Sequence, residues 1–368
     1  MLRLFAKKRS SKSCTLYEIK SDQRNYNLPS TVKLQKNKDG KLMWHVLKPK
    51  TPKNSLLITG SYDLTIKIWN ANTFDCIKTL DAHAGDVLCL LTLAKNHELA
   101  SGARDNTIKI WSLTKSKLIY TLRGHTKAVS CLIWLDSREE LVSGSHDGMI
   151  KFWNLSKRVC TRTLLHRSDG SRATFWSNWI GCLLYLPNTN ELLSSAYSSV
   201  NIWKNFEVCV KIFHINDISL ECLLLLPTGQ VASSSWDRDY SIKIWNTNTW
   251  ASYGLVGHRA SVNSLILFGT NELISCSYDK NIKIWDYKRN VCLRTLKDGD
   301  LLDSNVYHDW ITCIILIPKT SILLSDSSDN SIKMWQINNK KISSSDQEIQ
   351  KKIYGHIMPV TCMETHSF

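Results

Sequence analysis

Three times the chain sets a histidine, a serine, an aspartate and a tryptophan in the same order at near-constant spacing. The sets are His83, Ser101, Asp105 and Trp111; His125, Ser143, Asp147 and Trp153; and His258, Ser275, Asp279 and Trp285. A fourth, His356 with Thr59, Asp63 and Trp69, is complete only if the two ends of the sequence meet. Histidine, serine and aspartate are the parts of a nucleophilic triad. Recurrence argues against that chemistry, and no Gly-x-Ser-x-Gly elbow presents a serine. The other use of these groups is structural. A buried indole N–H needs an acceptor, and linked polar groups are stable only when every member is satisfied. We therefore read these residues as hydrogen-bonded props. No phosphate loop, HExxH or dinucleotide fingerprint accompanies them, so we expect no enzymatic activity and no cofactor.

The elements that must position these sets follow from the tryptophans. IKIW ends at Trp69 and Trp111, IKFW at Trp153, VNIW at Trp203, IKIW at Trp245 and Trp285, and IKMW at Trp335. Successive tryptophans lie 42, 42, 50, 42, 40 and 50 residues apart. Between them run Val-, Ile-, Leu- and Thr-rich segments bounded by Gly, Asn and Asp turns, which read as strands. A period near 40 with Gly-His early and Trp late marks a four-stranded propeller blade. On these motifs the sequence resembles the WD-repeat β-propeller family over about residues 55 to 368.

The resemblance implies an all-β fold: a seven-bladed propeller of four-stranded antiparallel blades. Its domain would span residues 41–368, preceded by a basic, disordered tail over residues 1–40. Blade one has a poor first strand of its own. The C-terminal IMPVTCMETHSF matches that strand in register, so residues 359–364 are expected to close the ring by pairing into blade one. Closure removes the free sheet edges that invite aggregation. The rival for that place is Leu42–Leu47. Blades four, five and seven depart from the pattern. Blade four has no turn aspartate and its His166 lies far upstream; blade five leaves Asp237 and Asp239 as rivals; in blade seven, His308 sits one residue late.

The twelve cysteines are spread through the repeat at equivalent positions. They read as reduced, small apolar side chains of the core rather than metal ligands or disulfides, which points to the reducing cytoplasm and permits the nucleus. The net charge of +15 suggests an anionic partner. However, Lys67, Lys109, Lys151, Lys243, Lys283 and Lys333 each precede a repeat tryptophan by two residues, one per blade, as a solvated edge pattern. Much of the remainder lies in the first forty residues. A nucleic-acid contact through that basic segment is therefore open but not favoured. No window is apolar enough to span a membrane.

In the family, partners commonly bind the face that carries the loops from strand d to the next strand a and the turns between strands b and c. Mapped onto this chain, that top face holds Tyr62, Arg104, His146, Trp179, Tyr197, Trp236, Arg238, Tyr278 and Trp310. Tyr, Trp and Arg are the residues most enriched at binding hot spots. Long polar insertions at His166–Asn178 and Lys297–Asp309 lie on the same side, and Ser343–Gln350 lies opposite. The expected function is a non-catalytic scaffold or adaptor, monomeric within a complex, holding a protein or peptide on this face. Repeat wording such as SGSHDGMIKFW is similar to F-box/WD-repeat adaptors, which implies a substrate-recognition subunit of a ubiquitin-ligase-type complex as an alternative. Residues 1–40 show no F-box. An RNA-associated role through the basic segment is a further alternative.

Overall fold

The computed structural model describes residues 10–11, 14–18, 32–36, 42–46, 55–93, 96–166, 178–196, 199–214, 220–235, 240–297, 310–318, 320–337 and 351–367. The chain divides into two units, Met1–Pro52 and Lys53–Phe368. The first contains β1 (Ser10–Ser11), β2 (Cys14–Glu18), β3 (Val32–Lys36) and β4 (Leu42–Val46), paired in the order β1-β2-β4-β3. Most of the expected basic tail lies outside the described residues. Leu42–Val46 pairs with β2 and β3, not with blade one.

The second unit is the propeller. Blade one holds β5 (Ser55–Ser61), β6 (Thr65–Asn70) and β7 (Cys76–Asp81). Blade two holds β8 (Val87–Leu93), β9 (Glu98–Ala103), β10 (Ile108–Ser112) and β11 (Lys117–Leu122). Blade three holds β12 (Val129–Leu135), β13 (Glu140–Ser145), β14 (Met149–Asn154) and β15 (Val159–Leu165). Blade four holds β16 (Cys182–Leu186), β17 (Glu191–Ala196), β18 (Ser199–Lys204) and β19 (Val208–His214). Blade five holds β20 (Leu220–Leu225), β21 (Val231–Ser235), β22 (Ile242–Trp245) and β23 (Ser252–Leu255). Blade six holds β24 (Val262–Phe268), β25 (Glu272–Ser277), β26 (Asn281–Asp286) and β27 (Val291–Lys297). Blade seven holds β28 (Ile314–Leu316), β29 (Ile322–Asp326), β30 (Ser331–Gln336) and β31 (Lys351–Tyr354). The last strand, β32 (Val360–Ser367), pairs antiparallel with β5, from Val360 opposite Ser61 to Ser367 opposite Ser55. Strand a of blade one therefore comes from the C-terminal segment.

Burial grades outward within each blade. Strand b is buried along almost its whole length, as in β5 and β25, whereas strand d is largely exposed with one buried residue near its end, as in β7 and β27. Each blade's apolar face packs on the next: Ile58 and Ile66 of blade one share a core with Val87, Leu99 and Trp111 of blade two. The glycine of the Ser/Thr-Gly-Ser/Ala stretch that ends strand b permits this approach. A Cβ on Gly144 would stand 2.6 Å from Cys131 Sγ and 2.6 Å from Ile180 Cγ2 of the next blade, so glycine lets neighbouring anchors nest.

Two register shifts recur. Strand a bulges just after its apolar anchor in blades one, two, three, five and six, leaving Thr361, Leu88, Ser130, Glu221 and Asn263 out of the ladder. Such bulges re-aim a side chain. Here several reach across the inner ring. Ser130 Oγ donates to Ile180 O and Thr361 Oγ1 to Val87 O. Asn263 Nδ2 donates to Ile311 O at 2.9 Å, and Thr312 Oγ1 to Val360 O at 3.2 Å. The contacts that close the ring are thus the same kind as those between consecutive blades.

The cysteines divide into two groups. Cys89 and Cys276 are buried, and burial pushes the Cys131 and Cys362 thiols up to about 12. Cys76, Cys160 and Cys292 are exposed instead. Each lies on strand d across from its tryptophan, where the second shift breaks the pairing of strands c and d just before that tryptophan, and donates its thiol to the carbonyl two residues on. These three are surface thiols, contrary to the core placement expected for them. The lysines before each tryptophan are also less solvated than expected. Lys67, Lys151 and Lys283 donate to Thr79, Thr163 and Thr295 of strand d, and Lys109 to Ala82 O.

Candidate functional site: the top face and channel mouth

Each regular blade is pinned by its turn aspartate. In blade three, Asp147 Oδ1 accepts from Met149 N within the b–c turn, while Oδ2 accepts from His125 Nδ1 at 2.9 Å and Thr126 N at 2.9 Å. His125 Nε2 meets Ser143 Oγ at 2.7 Å, and Ser143 accepts from Trp153 Nε1 at 2.8 Å. Donors therefore run one way, from indole to hydroxyl to imidazole to carboxylate. Burial alone would raise Asp147, but His125 and the two backbone N–H groups hold it at about 2.

The same chain forms through His83, Ser101, Asp105 and Trp111, and through His258, Ser275, Asp279 and Trp285. The set split between the ends also forms. His356 lies 2.7 Å from both Thr59 Oγ1 and Asp63 Oδ2, and Trp69 donates to Thr59 at 2.9 Å. All four predicted tetrads are therefore assembled, and their side chains are committed to one another.

Two irregular blades have their own substitutes, which the sequence reading missed. In blade four, Trp203 Nε1 donates to Ser194 Oγ at 2.8 Å, and His166 Nδ1 meets the same hydroxyl at 2.8 Å. His166 Nε2 then lies 3.0 Å from Ser199 Oγ, so a hydroxyl serves the second ring nitrogen, as a carboxylate does in the tetrad blades. The imidazole is turned over relative to its counterparts, and burial without a facing carboxylate pushes it down to about 4. In blade seven, Trp335 donates to Ser325 at 2.8 Å. Lys333, 1% exposed, pairs with Asp329 at 3.1 Å. It is a buried charge rather than part of a solvated edge. Blade five keeps the link from Trp245 to Ser233 at 2.9 Å; Asp237 and Asp239 lie outside the described residues. The indole-to-hydroxyl bond is thus common to all seven blades.

The top-face residues are held by backbone bonds of one pattern. Tyr62, Arg104, His146, Tyr278 and Ser328 each donate a backbone N–H to the residue just before a strand-a anchor: Pro359, Asp86, Ala128, Ser261 and Trp310. This tie sets the residue before the turn aspartate at the inner rim. His146 of blade three lies flat on Trp179 at the start of blade four, with centroids 4.0 Å apart and planes 5° apart. Tyr278 of blade six stacks on Trp310 before blade seven at 4.6 Å and 28°. Arg104 reaches Asp86 at 3.1 Å, leaving its side chain 62% exposed. Burial, then Arg104 and Lys127, pushes His146 down to about 4, so it is neutral at physiological pH. Tyr197, Trp236 and Arg238 lie outside the described residues, as do most of the three long insertions.

Two carboxylates act on the tyrosines of this face. Glu221, on the bulge of strand a in blade five, is exposed. Asp326 ends strand b of blade seven and is fully buried. It accepts from Thr312 Oγ1 at 2.6 Å, Thr312 N at 3.1 Å and Cys313 N at 2.5 Å. Burial pushes it up to about 7. Burial raises Tyr62, which also feels Arg104, Asp86, Asp326 and Glu221; burial, with Glu221 next, raises Tyr278. Tyrosines of blades one and six therefore share the charges of blades five and seven.

Comparison with known proteins agrees with this geometry. The family model described as WD domain, G-beta repeat matches residues 45–70, 74–112, 116–154, 251–286 and 292–336, half of the chain. The chain belongs to the WD-repeat family. The model passes over blades four and five, where the turn aspartate is missing or displaced. Among curated relatives of this WD-repeat propeller, nuclear distribution protein PAC1 of Arthroderma benhamiae is 32% identical over 141 residues. That match covers 35% of this chain and only 28% of the relative's length. An uncharacterized WD repeat-containing protein of Schizosaccharomyces pombe is 28% identical over 237 residues, 62% of each chain. The U3 small nucleolar RNA-associated protein 15 homolog of Xenopus laevis is 29% identical over 130 residues, 35% of this chain and 23% of the relative. Among the described residues, no helix is long and apolar enough to cross a membrane.

Proposed function

We propose that this WD-repeat propeller is a non-catalytic scaffold that holds a protein or peptide partner on its top face. The observation that carries the reading is the pair of aromatic stacks, His146 on Trp179 and Tyr278 on Trp310. They stand on a rigid rim while the residues capable of triad chemistry are committed to the interior. Partly exposed aromatic and arginine side chains on a rigid scaffold are the usual carriers of binding energy. The propeller acts as one monomer within a larger complex. It works in the cytoplasm or nucleus, the latter supported by a relative named for small nucleolar RNA association.

The test is a cross-linked pull-down from the native cell with Trp179, Arg104 and Tyr278 together replaced by alanine. Loss of capture with an unchanged melting profile supports the reading. Undiminished capture moves the site to the bottom face or the basic segment. The U3 relative's name gives the RNA-associated alternative one specific support. Removing residues 1–38 should then abolish salt-dependent RNA binding; absent RNA binding, or binding unaffected by the deletion, sinks it.

A further inference from the structure

The strand that closes the ring departs from the other six strands a on both of its flanks. In those six, the places two and four beyond the strand-a cysteine (a serine in blade six) are apolar, as with Ile133 and Leu135 in blade three or Ile315 and Ile317 in blade seven. In β32 they are Glu364 and His366, opposite Ile58 and Leu56. Both meet blade two. Thr92 Oγ1 donates to Glu364 Oε1 at 3.4 Å, and His97 Nδ1 lies 2.9 Å from His366 Nε2, with the rings at 88°. On the other flank, the strand-b residue opposite that cysteine or serine sits where the next blade's anchor nests. It is Gly60, Gly102 and Gly144 in blades one to three, Ser195 and Ser234 in blades four and five, and Cys276 in blade six. Blade seven places Asp326 there, its N–H donating to Cys313 O, and the next anchor is Val360 of β32. Thr312 Oγ1 joins the two, 2.6 Å from Asp326 Oδ2 and 3.2 Å from Val360 O.

Neither place suits a charge. Asp326 is fully buried and Glu364 partly so, and neither has an ion-pair partner among the described residues. The hydroxyls and N–H groups that serve them offset only part of the lost hydration, and burial pushes each carboxyl up to about 7. Around them, burial raises the thiols of Cys89, Cys276, Cys313 and Cys362 and the phenols of Tyr62 and Tyr278. Burial, with His97 next, lowers His366. None of these seven groups gains charge between pH 6.5 and 8, so the two carboxyls are what titrates at the seam in that interval.

We propose that β32 is a proton-operated latch: Glu364 and Asp326, when protonated, seat it between blades two and seven, and their ionisation loosens it. The direction follows from linkage. Each group has a folded value above its ordinary one, so its contribution is full below the ordinary carboxylate range and is lost as pH rises through 7. The segment leading into β32 also holds the top of blade one, where Pro359 O accepts from Tyr62 N and Met358 O from Ser61 Oγ. The latch therefore gives the rim at Tyr62 a setting that varies with pH. The inference stands whichever partner that rim binds.

The experiment is hydrogen–deuterium exchange read by mass spectrometry on the full-length protein at pH 6.5 and pH 8. Each rate is divided by the chemical exchange rate at that pH, and β12 of blade three serves as the internal reference. Opening of β32 should rise relative to β12 across the interval, by about fourfold for each carboxyl that opening releases. Glu364→Leu and Asp326→Ser install residues found at those places in other blades. Each should remove its share of the rise, and the double variant should remove all of it. Far-ultraviolet circular dichroism checks that the blades persist, and Glu364→Gln with Asp326→Asn replaces any combination that does not fold. Equal rises in β32 and β12 overturn the inference, as does a β32 rise that survives in the double variant.

Discussion

Blades three and seven solve one problem with different groups. Both bury a tryptophan whose N–H donates to a serine hydroxyl at 2.8 Å. Blade three leads onward through an imidazole to an aspartate at the turn. Blade seven sets an ammonium, Lys333, against the turn aspartate. Blade four offers a third answer, an overturned imidazole ending on Ser199. The shared requirement is an acceptor for the indole and a partner for whatever accepts. A lapse in the His–Ser–Asp wording is therefore poor evidence for a functional site, because two of three lapses are filled by structural equivalents.

That comparison can be broken most forcefully at Lys333. Lys333→Met leaves Asp329 without its ammonium and should cost about 3–5 kcal/mol, because breaking a buried pair strands a charge. Lys151→Met, at the equivalent position in blade three, loses an exposed hydrogen bond to Thr163 and should cost about 1 kcal/mol or less. Equal losses in denaturant melts would show that Lys333 is not a substitute at all.

Acid offers a second separation. The folded value of His166 lies near 4, below the ordinary 6.5. Its contribution is therefore present above pH 6.5 and is lost as pH falls toward 4, by roughly 3 kcal/mol in all. A His166→Asn variant should lack that share of the acid dependence. Parallel stability–pH curves for the two proteins would mean that His166 is not held neutral.

A third comparison concerns the serine hubs. Ser143→Ala strips the partner from both Trp153 and His125, and Ser194→Ala does the same to Trp203 and His166. Each should cost about 2 kcal/mol. Similar losses make the two networks equivalent. A much smaller loss at Ser194 would mark the blade-four arrangement as incidental contact.

Much of this was legible before any coordinates. The spacing of the seven tryptophans announces seven blades, and His356 with Thr59, Asp63 and Trp69 announces the closure, because a tetrad split between the ends has no other use. What escaped notice is chemical. Lys333 has the same sequence neighbours as five partly solvated lysines, and only the absence of a histidine in phase could have marked it as different. His166 stands 28 residues before its serine, where His125 stands 18 before Ser143. Turning the ring over accommodates that difference, and linear spacing carries no sign of it. The exposed thiols were misplaced because a register shift, invisible in composition, turns the start of strand d outward. Of the top-face residues, the stacking of His146 on Trp179 and of Tyr278 on Trp310 depended on which blades are neighbours, which the repeat order already stated.

The closing strand sets a timetable for synthesis. Thr59 and His356 are 297 residues apart. At translation speeds of about 5–20 residues per second, β5 waits roughly 15–60 s for its partner strand. Throughout that interval the nascent chain presents a largely apolar strand with an unsatisfied backbone edge. Holding that edge away from other chains until β32 arrives becomes a task for ribosome-associated chaperones, and a slowly translated stretch late in the message would lengthen it.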